Sequence, residues 1–262
     1  MAFTRRYEEA EPQRVNRWLA QSGVCSRREA EALIAEGKVR IDGEMVTDPG
    51  RKILPGQELT LDQGEGEGAG GRFTAVIHKP VGIVSAQPDP GQVPAVRLIT
   101  AEAQFISKNL GVPPAPIPQL EGGLAPLGRL DRDSRGLLLL SQDGVLAKAV
   151  IGPASKLDKE YRVQVEGEIT EARLNQLRHG LELDGRRLKP AKVRRLGGQA
   201  LNIILTEGRN RQIRRMCELV GLRVADLLRV RIGPLDLGEL PEGCWRALSE
   251  AERAALIKAA GS

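Results

Sequence analysis

The sequence predicts an α+β protein made of a small N-terminal unit and a larger C-terminal one. Helix-like and strand-like segments are mixed without the strict alternation of a doubly wound sheet. The run QGEGEGAGG, residues 63–71, is rich in glycine and has no apolar anchor, so it reads as a flexible linker between two units. At 262 residues the chain is long enough for a sizeable core, taking roughly 100 to 200 residues per domain.

Residues 1–13 read as a tail, with Tyr7 inside it; the stretch lacks the apolar core of a signal peptide. Ser26-Arg27-Arg28-Glu29 has the Ser-x-x-Glu form of a capping box and opens a helix through about Glu36, with Ala30, Leu33 and Ile34 as its inward stripe. In KVRIDGEMV, Asp42-Gly43 separates two short alternating runs, the signal of a hairpin. Beyond the linker, FTAVIHKPVGIVSA is strand-like. Residues 86–126 hold eight of the sixteen prolines, so they read as an irregular insertion with one short helix near Ala101 to Asn109. Leu137-Leu138-Leu139-Leu140, closed by Gln142-Asp143-Gly144, is a buried strand ending in a turn. Further strands are expected at KEYRVQVEG, KVRRL and ALNIILTEG, and helices at TEARLNQLRHG and QIRRMCELVG. Residues 256–262 read as a second tail.

Composition narrows the chemistry. Cys25, Cys217 and Cys244 are odd in number, far apart and without CxxC spacing, so neither a disulfide framework nor a zinc site is supported and a reducing cytoplasm is expected. Only His78 and His179 are present, which leaves little material for metal clusters or Ser-His-Asp sets, and no Walker or Rossmann glycine pattern occurs. No apolar run approaches the roughly 18 residues of a membrane span. From Arg186 to Arg231, thirteen Lys and Arg face three acids, within a chain whose formal charge is +5. Such a concentration suits a polyanion, nucleic acid before membrane.

The run GRLDRDSRGLLLLSQDG, residues 128–144, sets dense charge against four leucines. Held against the interior, an Asp beside Arg is costly unless it is paired or used; the alternative is a solvated turn. In TEGRNRQIRRMCELVG, Ile213, Met216, Cys217 and Val220 form one helical stripe, with Arg211, Arg215 and Glu218 opposite. Arg214 falls between these faces and is the best partner for the acid. Tyr161 shares strand parity with Val163 and Val165 and faces inward. It is either a core tyrosine with one hydrogen bond or a phenol beside a catalytic acid.

From Arg14 to Asp62, RVNRWLAQSGVCSRREAEALIAEGKVRIDG resembles the S4 RNA-binding domain. The resemblance implies that Arg17, Arg27, Arg28 and Lys38 face RNA phosphates, where cations bind without reading sequence. GRLDRDSRGLLLLSQDG, DKEYRVQVEG, TEGRNRQIRRMCELVG and LLRVRIGPLDLGELPEGCWRAL occur in this order in the RsuA/RluB/RluE/RluF group of pseudouridine synthases, which the chain resembles. QSGVCSRREAE and NRQIRRMCE look most like its RluF branch, which acts on large-subunit (23S) rRNA.

The resemblance implies an RNA pseudouridine synthase with a mostly antiparallel mixed sheet in residues 72–255. Its substrate would be a 23S rRNA stem-loop, its state monomeric, and no metal or organic cofactor would be needed. It makes Asp131 the catalytic acid, paired by Arg214. That carboxylate would attack C1′ or remove the C2′ proton. Tyr161 would stack on the uracil, Arg129 would fill the gap left by the flipped nucleotide, and Leu228 would pack against the base. Lys79, Arg211 and Arg215 would contact phosphate, while Asp133 and Ser134 would shape the loop. The same chemistry on small-subunit rRNA or tRNA, and a non-catalytic RNA-binding assembly factor, are the competing readings.

Overall fold

The computed structural model describes residues 3–22, 25, 27–48, 50–62, 73–106, 114–117 and 123–261. The linker 63–71, Ser26 of the expected capping box and the side chains of Arg27 and Arg28 lie outside them. By contacts the chain divides into two units, one covering Met1–Phe73 with Gln142–Lys148 and one covering Thr74–Ser141 with Ala149–Ser262.

In the first unit, β1 (Phe3–Arg6) and β2 (Gln13–Arg14) precede helices α1 (Val15–Gln21) and α2 (Arg27–Ala35). Strands β3 (Val39–Ile41), β4 (Glu44–Met45), β5 (Lys52–Ile53) and β6 (Glu58–Leu61) follow. A four-stranded sheet runs β1-β6-β3-β4, and β2 pairs with β5. The β3–β4 turn places Asp42 at φ 51° and Gly43 at φ 85°, the double positive φ that a two-residue hairpin demands. Ala30 and Ile34 are buried and Leu33 partly so, as the helical spacing requires.

The N-terminal residues are not a tail. Strand β1 pairs antiparallel with β6 from Phe3↔Leu61 to Arg6↔Glu58. Tyr7 is 1% exposed, meets Trp18 edge-on at 5.6 Å and 80°, and donates its hydroxyl hydrogen to the Glu11 carbonyl. This aromatic pair anchors a core that also takes in Val15, Leu19, Ile53 and Leu59.

The second unit is built on a nine-stranded sheet. The elements after β6 are β7 (Thr74–Lys79), β8 (Ala125–Pro126), β9 (Arg135–Ser141), α3 (Gly144–Ile151, counted with the first unit through Lys148), β10 (Lys159–Glu166), α4 (Glu171–Arg178), a β11 (Glu182–Leu183) and β12 (Arg186–Arg187) hairpin, β13 (Lys192–Gly197), β14 (Ala200–Leu205), α5 (Gln212–Leu219), β15 (Arg223–Ile232), β16 (Leu235–Asp236), β17 (Trp245–Ala247) and α6 (Glu250–Ala260). The strand order is β13-β14-β10-β15-β9-β7-β17, with β16 on β15 and β8 on β9. Among its named strands only β9 and β15 run parallel, through Leu228↔Arg135 and Arg229↔Gly136. The architecture is therefore α+β with a mostly antiparallel sheet.

Four expectations change here. The Gln142–Gly144 turn begins α3: the Asp143 carboxylate accepts from the backbone N–H groups of Val145 and Leu146, capping the helix. Residues 256–260 belong to α6, whose Ser249–Glu252 capping box is complete and whose Leu256 is fully buried. In the proline-rich stretch the helical turn is a 3-10 segment at Ala95–Leu98 rather than one near 101–109, of which residues 107–109 lie outside the described ones. Finally β15, ten residues long and central, replaces what the sequence left unassigned.

Candidate active site

The loop from Gly128 to Ser134 leads into β9, whose residues Leu137 to Leu140 are at most 1% exposed. A strand this dry is a rigid support for the side chains of the loop before it. The loop is also tied to the segment after β7. Leu130 exchanges hydrogen bonds with the buried Ser85 hydroxyl, N to Oγ at 2.9 Å and Oγ to O at 2.7 Å. Gly82 N donates to Arg132 O at 2.8 Å, and Arg132 Nε returns to Gly82 O at 3.2 Å.

Helix α5 supplies the opposing wall. Ile213, Met216, Cys217 and Val220 are all buried in the core that includes Val163, Ile203 and Leu227. Burial pushes the Cys217 thiol up to about 12, so it packs as an apolar group. With that stripe fixed, Arg211 and Arg214 face the loop. Arg211 holds Asp133 with two bonds, 3.1 and 2.9 Å. Arg214 Nη2 donates to Asp133 O at 2.7 Å and to Ser134 Oγ at 3.3 Å, and its Nη1 reaches Val224 O at 3.3 Å. Burial alone would raise the Asp133 carboxyl, but the Arg211 hydrogen bond and the Arg214 and Arg211 charges bring it below its ordinary value.

Arg214 therefore does not pair with Asp131. Its Nε lies 3.2 Å from Asp133 Oδ2, outside hydrogen-bonding geometry. Among the described residues the ion-pair partner of Asp131 is Arg211, Nη1 to Oδ2 at 3.8 Å. Asp133 thus takes the guanidinium partners expected for Asp131. The Asp131 carboxylate accepts no side-chain hydrogen bond from the described residues and is 33% exposed. In this short run of charge one carboxylate is bound from two sides and the other is open.

Strand register sorts the remaining residues. Lys79↔Gly136, Gly136↔Arg229 and Arg229↔Tyr161 place these four side-chain positions in one row across β7, β9, β15 and β10, continuing to Ile203. Opposed residues in neighbouring strands share a face, so Tyr161 lies on the face covered by α5, partly buried against the core. Leu228 pairs with Arg162 and Arg135 and belongs to the other face. The leucine on Tyr161's side is Leu227, opposite Val163. A base resting on Tyr161 would meet Leu227 before Leu228.

Lys79 is no phosphate contact. It is fully buried, and its Nζ donates to Pro80 O and Ile83 O, each at 2.8 Å. Burial, partly offset by Asp133, Asp131 and Glu242, lowers it to about 8. Arg215 is held in a two-bond pair by Asp184, at 2.9 and 2.6 Å. Arg129 is exposed, the condition a wedge needs. In the N-terminal unit Arg17 is exposed, while Lys38 is partly covered and sits 2.7 Å from Glu36. Arg14, Asn16, Arg17 and Glu31 line a depression of about 410 Å³ there. Two polar residues of the site escaped the sequence reading: Ser85, and Arg229, whose only sequence signal is a cation at an inward position of β15.

Among the described residues no cluster of three or more His, Cys, Asp or Glu could hold a metal, and no helix is long and apolar enough to cross a membrane. Residues 74–219 match the RNA pseudouridylate synthase family and residues 13–59 the S4 domain. An uncharacterized RNA pseudouridine synthase of Aquifex aeolicus is 33% identical over 95% of both chains. The Escherichia coli dual-specificity RNA pseudouridine synthase RluF is 33% identical over 94% of this chain and 78% of its own. Ribosomal large subunit pseudouridine synthase B of Salmonella typhi is 32% identical over 92% and 80%. A crystal structure of a pseudouridylate synthase superposes with a TM-score of 0.63 at 26% identity, covering 93% of this chain and 99% of that one. A catalytic fold with an open carboxylate on a clamped loop, preceded by an RNA-binding module, thus matches one set of relatives along nearly its whole length: the chain belongs to the RsuA/RluB/RluF family of RNA pseudouridine synthases.

Proposed function

We propose that this enzyme converts a specific uridine to pseudouridine in large-subunit (23S) rRNA, with Asp131 as the catalytic carboxylate acting on a flipped-out nucleotide. The observation that carries the reading is the contrast within one loop. Asp133 is saturated by arginine, whereas Asp131, two residues away, accepts no side-chain hydrogen bond from the described residues and is partly exposed. A carboxylate consumed by ion pairing cannot attack or accept a proton; an unoccupied one on a rigid mount can.

The reaction breaks N1–C1′, turns the uracil and joins C5 to C1′; C5 loses a proton and N1 gains one. Asp131 begins it as nucleophile at C1′ or as base at C2′. Arg211 Nη1 lies 3.8 Å from Asp131 Oδ2, beside the reacting carboxylate. Tyr161, in the row beneath the loop, stacks on the base and assists loss of the C5 proton. Arg129 enters the RNA stack in place of the departed nucleotide, since a stacked base cannot reach the carboxylate. Arg17 and its exposed neighbours bind phosphates in a stem-loop of the RNA. The protein acts as a monomer in the cytoplasm.

The large-subunit target is supported by the name of its synthase B relative, a ribosomal large subunit pseudouridine synthase. The dual specificity in RluF's name favours a second substrate class, tRNA or small-subunit rRNA. Pseudouridine mapping of total RNA from cells with and without the gene, complemented by wild type or Asp131→Asn, tests both assignments. One or a few 23S sites should vanish in the deletion, return with wild type and stay absent with Asp131→Asn. Modification by Asp131→Asn would refute the catalytic assignment, and loss confined to other RNAs would refute the target.

A further inference from the structure

Arg229 is 2% exposed, yet among the described residues no carboxylate hydrogen-bonds to it. Its Nε donates to Leu137 O at 2.7 Å and its Nη1 reaches Arg129 O at 3.4 Å, while Nη2 has no partner among the described residues. A desolvated guanidinium satisfied only by carbonyls is an expensive way to fill space. Its surroundings make it more expensive. Arg229 depresses the proton affinity of Lys159 after burial has done so, and contributes to the same effect at Lys79.

What the guanidinium reaches gives it a purpose. Arg129 O is the carbonyl of the proposed wedge and stands two residues before Asp131. The residue between, Leu130, is the one gripped through both its N–H and its carbonyl by Ser85. The row across the sheet explains how the side chain gets there. Gly136, at φ 113°, lies directly opposite Arg229; a Cβ on it would stand 2.3 Å from Arg229 O. The absent side chain lets β15 approach the base of the loop. Tyr161 is the neighbour of Arg229 on the other side.

We propose that Arg229 is a positioning residue: by bridging Leu137 O and Arg129 O it fastens the loop carrying Arg129 and Asp131 to β15, beside Tyr161. Wedge, carboxylate and stacking ring thereby share one mount. The inference rests on the reading of Asp131 as the catalytic group. Arg229 touches carbonyls rather than substrate, so its removal should act on turnover and leave RNA affinity unchanged.

The test uses the full-length protein and an unmodified 23S rRNA transcript carrying 5-tritiated uridine, whose tritium is released as C5 gives up its hydrogen. Under single-turnover conditions with enzyme in excess, Arg229→Met should lower the release rate about 100-fold, the scale of a small misplacement of reacting groups. The dissociation constant for the transcript should stay within about 2-fold. Arg229→Lys, which keeps charge but not the fork, should recover about 10-fold of the loss. Ser85→Ala, which frees Leu130 without touching β15, should lose rate and keep affinity in the same manner. If Arg229→Met does not fold, Arg229→Lys and Ser85→Ala decide the matter. Wild-type rates in the folded variants, or a loss located wholly in RNA affinity, would overturn the inference. Asp131→Asn is run alongside. Activity in it would sink the catalytic reading, whereas an inactive Asp131→Asn beside fully active Arg229 and Ser85 variants sinks only the positioning role.

Discussion

Arg17 of the N-terminal unit leaves its charge in solvent, on a helix whose other side buries Trp18 and Leu19. Arg214 and Arg229 of the larger unit are buried and aim their guanidinium groups at named protein acceptors. The same residue type thus serves two physical ends. An exposed cation can exchange counterions for phosphates and forgive some error of position. A buried one is committed to a geometry and transmits it to whatever it grips. Under the proposed function, recognition and chemistry fall to regions that differ in how much of their charge is free.

The separation is broken or sharpened by substitutions on either side of it. The largest effect belongs to Asp131→Asn: tritium release should fall by about 1,000-fold or more while filter binding of the transcript is unchanged. Tyr7→Ala should cost the N-terminal unit about 3 to 5 kcal/mol. RNA affinity should then drop far more than the single-turnover rate at saturating enzyme; equal losses would erase the division of labour. Gly136→Ala forces a Cβ toward Arg229 O and should destabilise the catalytic unit by about 3 kcal/mol, read as a lower denaturation midpoint.

A smaller effect concerns Lys79. Its folded-state value of about 8 lies below the ordinary 10.5, so between these two pH values the unfolded chain binds a proton that the native chain has released. Stability should rise with pH across that window, by at most about 3 kcal/mol, and the gain should be lost as pH falls back from 10.5 to about 8. Lys79→Met should flatten this part of the denaturation profile; an unchanged slope would mean that the ammonium is not desolvated. Smallest of all, Arg215→Ala should flatten the plot of log affinity against log salt by less than about one unit, because Asp184 already holds that guanidinium. Asp184→Ala, which frees it, should steepen the plot.

Where local pattern decides structure, the sequence was sufficient. The leucine run of β9, the Asp42-Gly43 hairpin and the Ile213–Val220 stripe each declare themselves within about ten residues, and the ordered motifs identified the catalytic class. The elements that went unread depend on distant partners. FTRR becomes a strand because β6 lies beside it, and Tyr7 is buried because Trp18 meets it. Helical periodicity placed Arg214 at the edge of the cleft but could not choose between Asp131 and Asp133. That choice is made by loop backbone, where carbonyl 133 and the Ser134 hydroxyl converge. Lys79 was misassigned, and the separation of Leu228 from Tyr161 went unseen, for a related reason: strand parity is visible locally, but which face meets α5 is settled by register with other strands.

The one parallel seam in the large sheet ties positions 135 and 136 to positions 228 and 229, more than ninety residues downstream. A growing polypeptide therefore carries the aspartate proposed as catalytic long before it carries the strand that pairs with the base of its loop. Until β15 has been synthesised and threaded between β9 and β10, the nascent enzyme owns the right letters in the wrong posture. Truncation anywhere upstream of that strand leaves a motif that any alignment would recognise, on a chain that lacks the strand its base pairs with.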